Sequence, residues 1–329
     1  MMKKSGYFLL AIFILAGLCL GIHSALAGPT VLKAVAMVPK HHPFHEPQER
    51  IWLERINEAL KDELQIKLIG GPEVIPPGEQ IEAVRNNMVQ VAFLPTSYYK
   101  QLIPEGVTMQ ITRFKDVMEM RGKGYVDWLD KRHEKIGLKV LGVFYWGGFN
   151  FWAKKPIKSL DDFKGKRFRS NATYDVFQKA LGLAPVSIHI AEIYTALERG
   201  VVEGLAFPLM GVRVGGLTKH IKYALGDSFY SIDKLSLMNL DTWNKLPKPV
   251  QEKIEQITIA YEPEMMKMVV DRDNREWGIL EKEGVTRTYF SPDEKKKFLD
   301  LAYQSIWDDL KKKLPPDVIE ESRKFVGLP

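Results

Sequence analysis

Arg169 is the side chain from which a chemistry for this chain can be built. It closes a short run, Lys166-Arg167-Phe168-Arg169, and is followed by Ser170, Asn171 and Thr173. The run reads as a strand with two side chains on each face, and the polar residues after it open a helix lined by Val176, Phe177, Ala180 and Leu181. A guanidinium at a strand's carboxyl end, beside the N–H groups that start a helix, is suited to gripping a carboxylate through two parallel hydrogen bonds. Asn171 is the neighbouring polar candidate. The competing reading is a solvated strand arginine or a surface ion pair, and periodicity alone does not separate the two.

Other groups offer less. His41, His42 and His45 lie in a loop broken by Pro39, Pro43 and Pro47 without an accompanying carboxylate pattern, so no metal is expected. Met265, Met266 and Met268 have no Cys or patterned His beside them and read as core packing. The stiff Gly- and Pro-rich loop 70–78 lacks the lysine and hydroxyl of a phosphate-binding loop. There is no G-x-S-x-G elbow and no H-E-x-x-H helix, and the single cysteine is Cys19. No cofactor and no covalent chemistry are therefore expected; a secreted α/β enzyme assembled from scattered Asp, Glu and His is the competing class.

The elements that must hold Arg169 come next. Ser159, Asp161 and Asp162 start a short helix that Gly165 stops. After the strand and helix around Arg169 come a strand at 186–190, a helix at 191–197 and an apolar strand at 205–207. This alternation builds parallel sheets, whose ligands sit beyond the carboxyl ends of the strands. Upstream, strands at 31–38, 65–69, 89–94 and 140–145 alternate with helices at 48–60, 79–87 and 125–138. The strand at 89–94 ends in Pro95-Thr96-Ser97-Tyr98-Tyr99. After 140–145 comes Trp146-Gly147-Gly148-Phe149-Asn150-Phe151-Trp152, where the chain should cross to a second lobe. Its four aromatics form either an inter-lobe floor or, for Trp146 and Phe149, part of the lining of an apolar solute pocket. A strand at 235–240, a long helix from 249 to about 283, a helix at 292–313 and a short closing helix complete the chain, with a kink or local break expected at Pro263.

Residues 1–27 read as an export signal: Lys3 and Lys4, an apolar run, and a small-x-small end at Ala25-Leu26-Ala27. Leu18 is too bulky for a lipid-attachment site at Cys19, so no membrane anchor is expected after cleavage. Loss of the two lysines takes the formal charge from +6 to +4, since 1–27 holds no Asp or Glu. That surplus suits small anions, and no arginine-rich block points to nucleic acid. The remaining length fits two lobes.

The pattern P-I-x-S-L-x-D-x-K-G-x-x-x-R, then L-G-x-x-P-V-x-I, then E-I-Y-x-A-L-x-x-G-V-V-E-G, at 156–204, closely resembles the solute-binding proteins of tripartite ATP-independent periplasmic (TRAP) transporters. Trp243-Asn244-Lys245-Leu246-Pro247 is similar to the W-x-x-L-P that precedes a long helix in that family. The resemblance implies an α/β, two-lobed, type II-like binding-protein fold with a long helix bridging the lobes. It implies lobe I from 28–147 and 233–275, and lobe II from 148–232 and 276–329. It gives Arg169 a bidentate salt bridge to a substrate carboxylate, places Ser97 and Tyr98 near the solute, and makes His42 the choice among the loop histidines. The partners implied are a small carboxylate and the TRAP membrane subunits, in the periplasm, with a monomer expected. A receptor for an ATP-driven importer or a sensor shares this design. Two positions depart from many relatives: Asn150 stands where a second arginine is common, and Phe207 stands where an asparagine precedes the proline. A lost cation and gained aromatic surface suggest a monocarboxylate with an apolar or aromatic body.

Overall fold

The structure, a computed structural model, describes residues 28–40, 45–46, 48–112 and 114–326, with Asp233 described by its backbone alone. In chain order the elements are β1 (Thr30–Ala36), a π-helical turn at Gln48–Trp52 leading into α1 (Leu53–Ala59), β2 (Leu64–Gly70), α2 (Gln80–Arg85) and β3 (Val91–Leu94). Tight helical turns at Thr96–Tyr99 and Pro104–Ile111 precede α3 (Val117–Gly122), α4 (Tyr125–Glu134) and β4 (Leu138–Ala153). Then come β5 (Arg167–Ser170), α5 (Asp175–Ala180), β6 (Ala184–Ser187), α6 (Ile193–Glu198), β7 (Gly204–Pro208), α7 (Leu209–Val214) and β8 (Tyr223–Leu225). The chain ends with β9 (Ser231–Asn239), α8 (Leu240–Lys245), α9 (Lys248–Lys282), β10 (Thr286–Thr288), α10 (Pro292–Leu310) and α11 (Pro316–Val326).

The strands run in the order β2-β1-β3-β9-β4-β7-β5-β6, with β8 and β10 to one side. β1 pairs in parallel with β2 and β3, and β5 with β6 and β7, while β9 and β4 insert antiparallel between the two groups. β4 belongs to both: its first part pairs with β9 and its last residues, Phe149 to Ala153, with β7. The crossing expected at 146–152 is thus the second half of one 16-residue strand, not a connection after a strand end. Gly147 makes this possible. It sits in a register shift between Tyr145 and Gly148 at φ +102°, where a bulge turns the strand without ending it.

α9 spans both lobes. Ile254, Tyr261, Met265 and Val269 pack with Trp52, Phe93 and Phe144, whereas Leu280 packs with Trp152, Val202 and Leu205. Trp277 stacks on Trp152 at 5.4 Å. Two forked ion pairs pin it: Arg121 to Glu262 at 2.6 and 2.7 Å, and Arg213 to Glu276 at 2.6 and 3.0 Å. The helix continues through Pro263 without a break, its neighbours Tyr261, Glu262 and Met265 all buried. α11, grouped with the second lobe in the sequence division, packs beside α4, with Phe325 stacked on Trp128 at 5.5 Å. β6 begins at Ala184, two residues before the expected strand, because parallel pairing with Arg167–Ser170 fixes its register. Pro185 is tolerated there since β6 is the end of the strand order.

Candidate functional site

Phe168 points into a cluster with Phe151 and Phe163, so the alternation of β5 sends Arg169 to the opposite face. That face is covered too, and Arg169 is 2% exposed. Its Nε donates to the Ile188 carbonyl at 3.0 Å and an Nη donates to the Tyr174 hydroxyl. That hydroxyl passes the chain on by donating to the Ala206 carbonyl at 2.6 Å, which fixes the guanidinium's orientation. The guanidinium carbon lies 5.6 Å from the Phe207 ring centre. Gly211 leaves room for that ring, since a Cβ there would stand 2.3 Å from Phe207 Cε1. Among the described residues no carboxylate pairs with Arg169. A buried cation without a counter-ion is costly, so this arrangement is one that an anion completes. Burial raises the pKa of the Tyr174 and Tyr98 phenols, against the pull of Arg169, and both stay protonated at neutral pH.

The facing wall comes from β9 and the turn before α1. Ile232, Lys234 and Ser236 fall on one face of β9. Lys234, 3% exposed, is ion-paired with Glu49, 2% exposed, and its Nζ lies 4.7 Å from the Trp146 ring centre. Trp146 Nε1 donates to Gln48 Oε1 at 3.0 Å, and Gln48 Nε2 donates to Ser236 Oγ at 3.1 Å. Burial pulls the Lys234 pKa down while Glu49 pulls it up. Lys234 and Arg169 line the same cleft, which encloses about 640 Å³ including its open mouth.

Of the residues singled out from the sequence, Trp146, Phe149, Arg169, Asn171, Phe207 and Tyr98 all line this cleft. Ser97 stands behind it, buried, accepting from Thr173 Oγ1 at 2.9 Å across the two lobes. Nearby, Lys100 Nζ donates to the Ala172 carbonyl at 2.7 Å, a second bond between the same turns. Asn150 is not among the lining residues: β4 turns it away, and its amide donates to the carbonyls of Leu225 at 3.0 Å and Gly226 at 3.4 Å. Phe151 and Trp152 belong to the core. His42 lies outside the described residues; His45 approaches Glu49 at 3.4 Å and the Pro39 carbonyl at 2.6 Å. Sequence reasoning missed Tyr174, Thr173 and Lys234 as lining residues. The signal for Lys234 was a lysine alternating with Ile232 and Ser236 at the start of a strand whose intervening residues include the apolar Leu235 and Leu237. Starting that strand at 235 hid it.

Comparison with known proteins agrees with this architecture. The profile of bacterial extracellular solute-binding proteins, family 7, matches residues 34–313. An uncharacterized protein of Haemophilus influenzae is 25% identical over 268 residues, 79% of this chain and 81% of that one. A TRAP periplasmic solute-binding protein of Desulfovibrio salexigens, solved with bound orotic acid, superposes with a TM-score of 0.80 at 20% identity, covering 90% of this chain and 97% of that one. An extracytoplasmic solute receptor of Bordetella pertussis that binds pyroglutamic acid gives 0.77 at 17% identity, covering 90% and 98%. With a two-lobed fold, a cleft between the lobes and a profile match over most of its length, the chain belongs to the family 7 bacterial extracellular solute-binding proteins.

Proposed function

We propose that this protein captures an organic acid in the periplasm and delivers it, chemically unchanged, to the membrane subunits of a TRAP transporter. The observation that carries the reading is Arg169: a buried guanidinium, oriented by Tyr174 and Ile188, facing an apolar cleft without a carboxylate partner among the described residues. Two structural neighbours were solved with organic acids bound, orotic and pyroglutamic. The lobes divide near Gly147, with 28–147 and 233–275 on one side and 148–232 and 276–329 on the other, α11 reaching back across.

Binding works by closure. The acid pairs with Arg169, and meeting of the lobes buries that pair, so the closed form binds more tightly and is populated at the expense of the open one. Thr173 to Ser97 and Lys100 to Ala172 are bonds between the two lobes, and they hold the closed form together. Gly147 is the pivot: at the bulge it takes φ +102°, a backbone conformation that residues with a Cβ rarely adopt, and it lies beside Asp273 of α9. The cleft favours a monocarboxylate with an apolar or aromatic body. A second cation is present after all, in Lys234, but Glu49 neutralises it, leaving one unbalanced charge among aromatic rings.

Calorimetric titration of a panel of carboxylic acids tests the reading. Arg169→Ala is expected to abolish tight binding and leave the fold intact, and Arg169→Lys to restore only part, because a point charge does not reproduce the fork. Unchanged affinity in Arg169→Ala overturns it, and tight binding of succinate or sialic acid in place of aromatic or branched-chain acids overturns the ligand class. N-terminal sequencing of periplasmic protein is expected to begin at Gly28.

A further inference from the structure

Glu49 is a carboxylate that the fold alone does not explain. It lies in the π-helical turn Gln48–Trp52, 2% exposed, and is not itself among the residues that line the cleft. One oxygen takes the ion pair with Lys234 and is 3.4 Å from His45 Nδ1; the other has no hydrogen-bond partner among the described residues. Burying two charges in this way is generally no more stabilising than apolar packing of the same volume, and a buried carboxylate oxygen without a donor adds a further cost. Its position supplies the missing reason. The partner of Glu49 is, among the described residues, the one lysine that lines the cleft, on the wall opposite Arg169.

We propose that Glu49, acting through Lys234, sets the charge selectivity of the cleft, so that monoanionic carboxylates with an uncharged far end are accepted and dianions of the same shape are rejected. This rests on the assignment of Arg169 as the carboxylate anchor. Among the described residues two cations line the cleft, and a dianion would otherwise satisfy both. With Glu49 ionised, the first carboxylate takes Arg169 and a second meets a lysine already neutralised, so it loses its water without gaining a compensating charge. An amide or carbonyl oxygen at that end carries no such penalty and can accept a hydrogen bond from the ammonium group. Glu49 is thus a positioning residue for charge, distinct from the residues that touch the ligand.

The test uses isosteric pairs that differ by one charge: succinamate with succinate, and 4-carbamoylbenzoate with terephthalate. Each is titrated calorimetrically into the full-length exported protein and into its Glu49→Gln, Arg169→Ala and Glu49→Gln/Lys234→Gln variants. The wild type is expected to prefer the monoanion of at least one pair by about tenfold or more, and Glu49→Gln to move that ratio at least about tenfold towards the dianion. A purely structural role would weaken both members together and leave the ratio in place. The double variant removes both charges at once and is expected to keep the wild-type preference, so the proposal stays testable even if Glu49→Gln alone does not fold. A ratio that moves less than about twofold in Glu49→Gln, a double variant that gains the dianion, or failure of the wild type and Glu49→Gln to bind any of the four acids overturns it. Retention of both members by Arg169→Ala identifies failure of the anchor instead, and is distinguishable because the Glu49→Gln ratio is read separately.

Discussion

The cleft has two walls, and each buries a cation. On the second-lobe wall Arg169 is held by a hydroxyl and a carbonyl and has no carboxylate partner among the described residues. On the first-lobe wall Lys234 is paired with Glu49. Burial is almost the same, 2% against 3% exposed, so exposure does not distinguish the proposed ligand anchor from the cation already compensated. The counter-ion does. A buried charge that the protein pairs by itself is compensated before any ligand arrives, and one that it leaves unpaired is the one that, in our proposed reading, a ligand completes.

The comparison breaks most readily at Arg169. Arg169→Ala should cost about 3–5 kcal/mol of binding, two orders of magnitude or more in Kd, while the melting temperature of the ligand-free protein does not fall. Titration calorimetry and scanning calorimetry on the same preparation check both halves. Lys234→Met should do the reverse. It strands the Glu49 carboxylate, so the unfolding free energy in urea should drop by about 3–5 kcal/mol. If instead Lys234→Met leaves stability unchanged, the two walls are not different in kind.

The first wall also has an acid-sensitive support. The turn bearing Ser97 and Tyr98 is tied back by Tyr99, whose hydroxyl lies 3.0 Å from His133 Nε2, and burial lowers the His133 pKa from 6.5 to about 4. The unfolded chain therefore takes up this proton below about pH 6.5 while the folded one stays neutral. Stability should be full above that pH, fall as pH drops towards about 4, and lose about 3 kcal/mol in all. Urea unfolding across this range should show a shallower loss in His133→Gln. Smaller effects sharpen the second wall. Tyr174→Phe removes the acceptor that aims Arg169 and should weaken binding by about 1.5–3 kcal/mol. Ser97→Ala removes one bond between the closed lobes and should cost about 0.5–1.5 kcal/mol, read as a faster dissociation rate in stopped flow.

How far the residues foretold this depends on how local the cause is. The strand and helix around Arg169, the caps and glycines that bound them, and the long helix after Trp243-Asn244-Lys245-Leu246-Pro247 are set by neighbours a few positions apart, and they were legible. Strand alternation also put Arg169 and Phe168 on opposite faces before any tertiary contact was known. Asn150, singled out through the family resemblance, follows Phe149 in the regular part of β4, so it faces away from the cleft that Phe149 lines, while the bulge at Gly147 lets Trp146 and Phe149 share one face despite their odd spacing. The pairing of Lys234 with Glu49 spans 185 positions, and Ser97 meets Thr173 across 76. No periodicity connects such residues. The sequence by itself determined the strand-helix alternation around Arg169 and that a cation stands near the end of β5; only the tertiary structure decided that Lys234 has a carboxylate partner and that Arg169, among the described residues, has none, because charge compensation acts through space, between residues the chain keeps far apart.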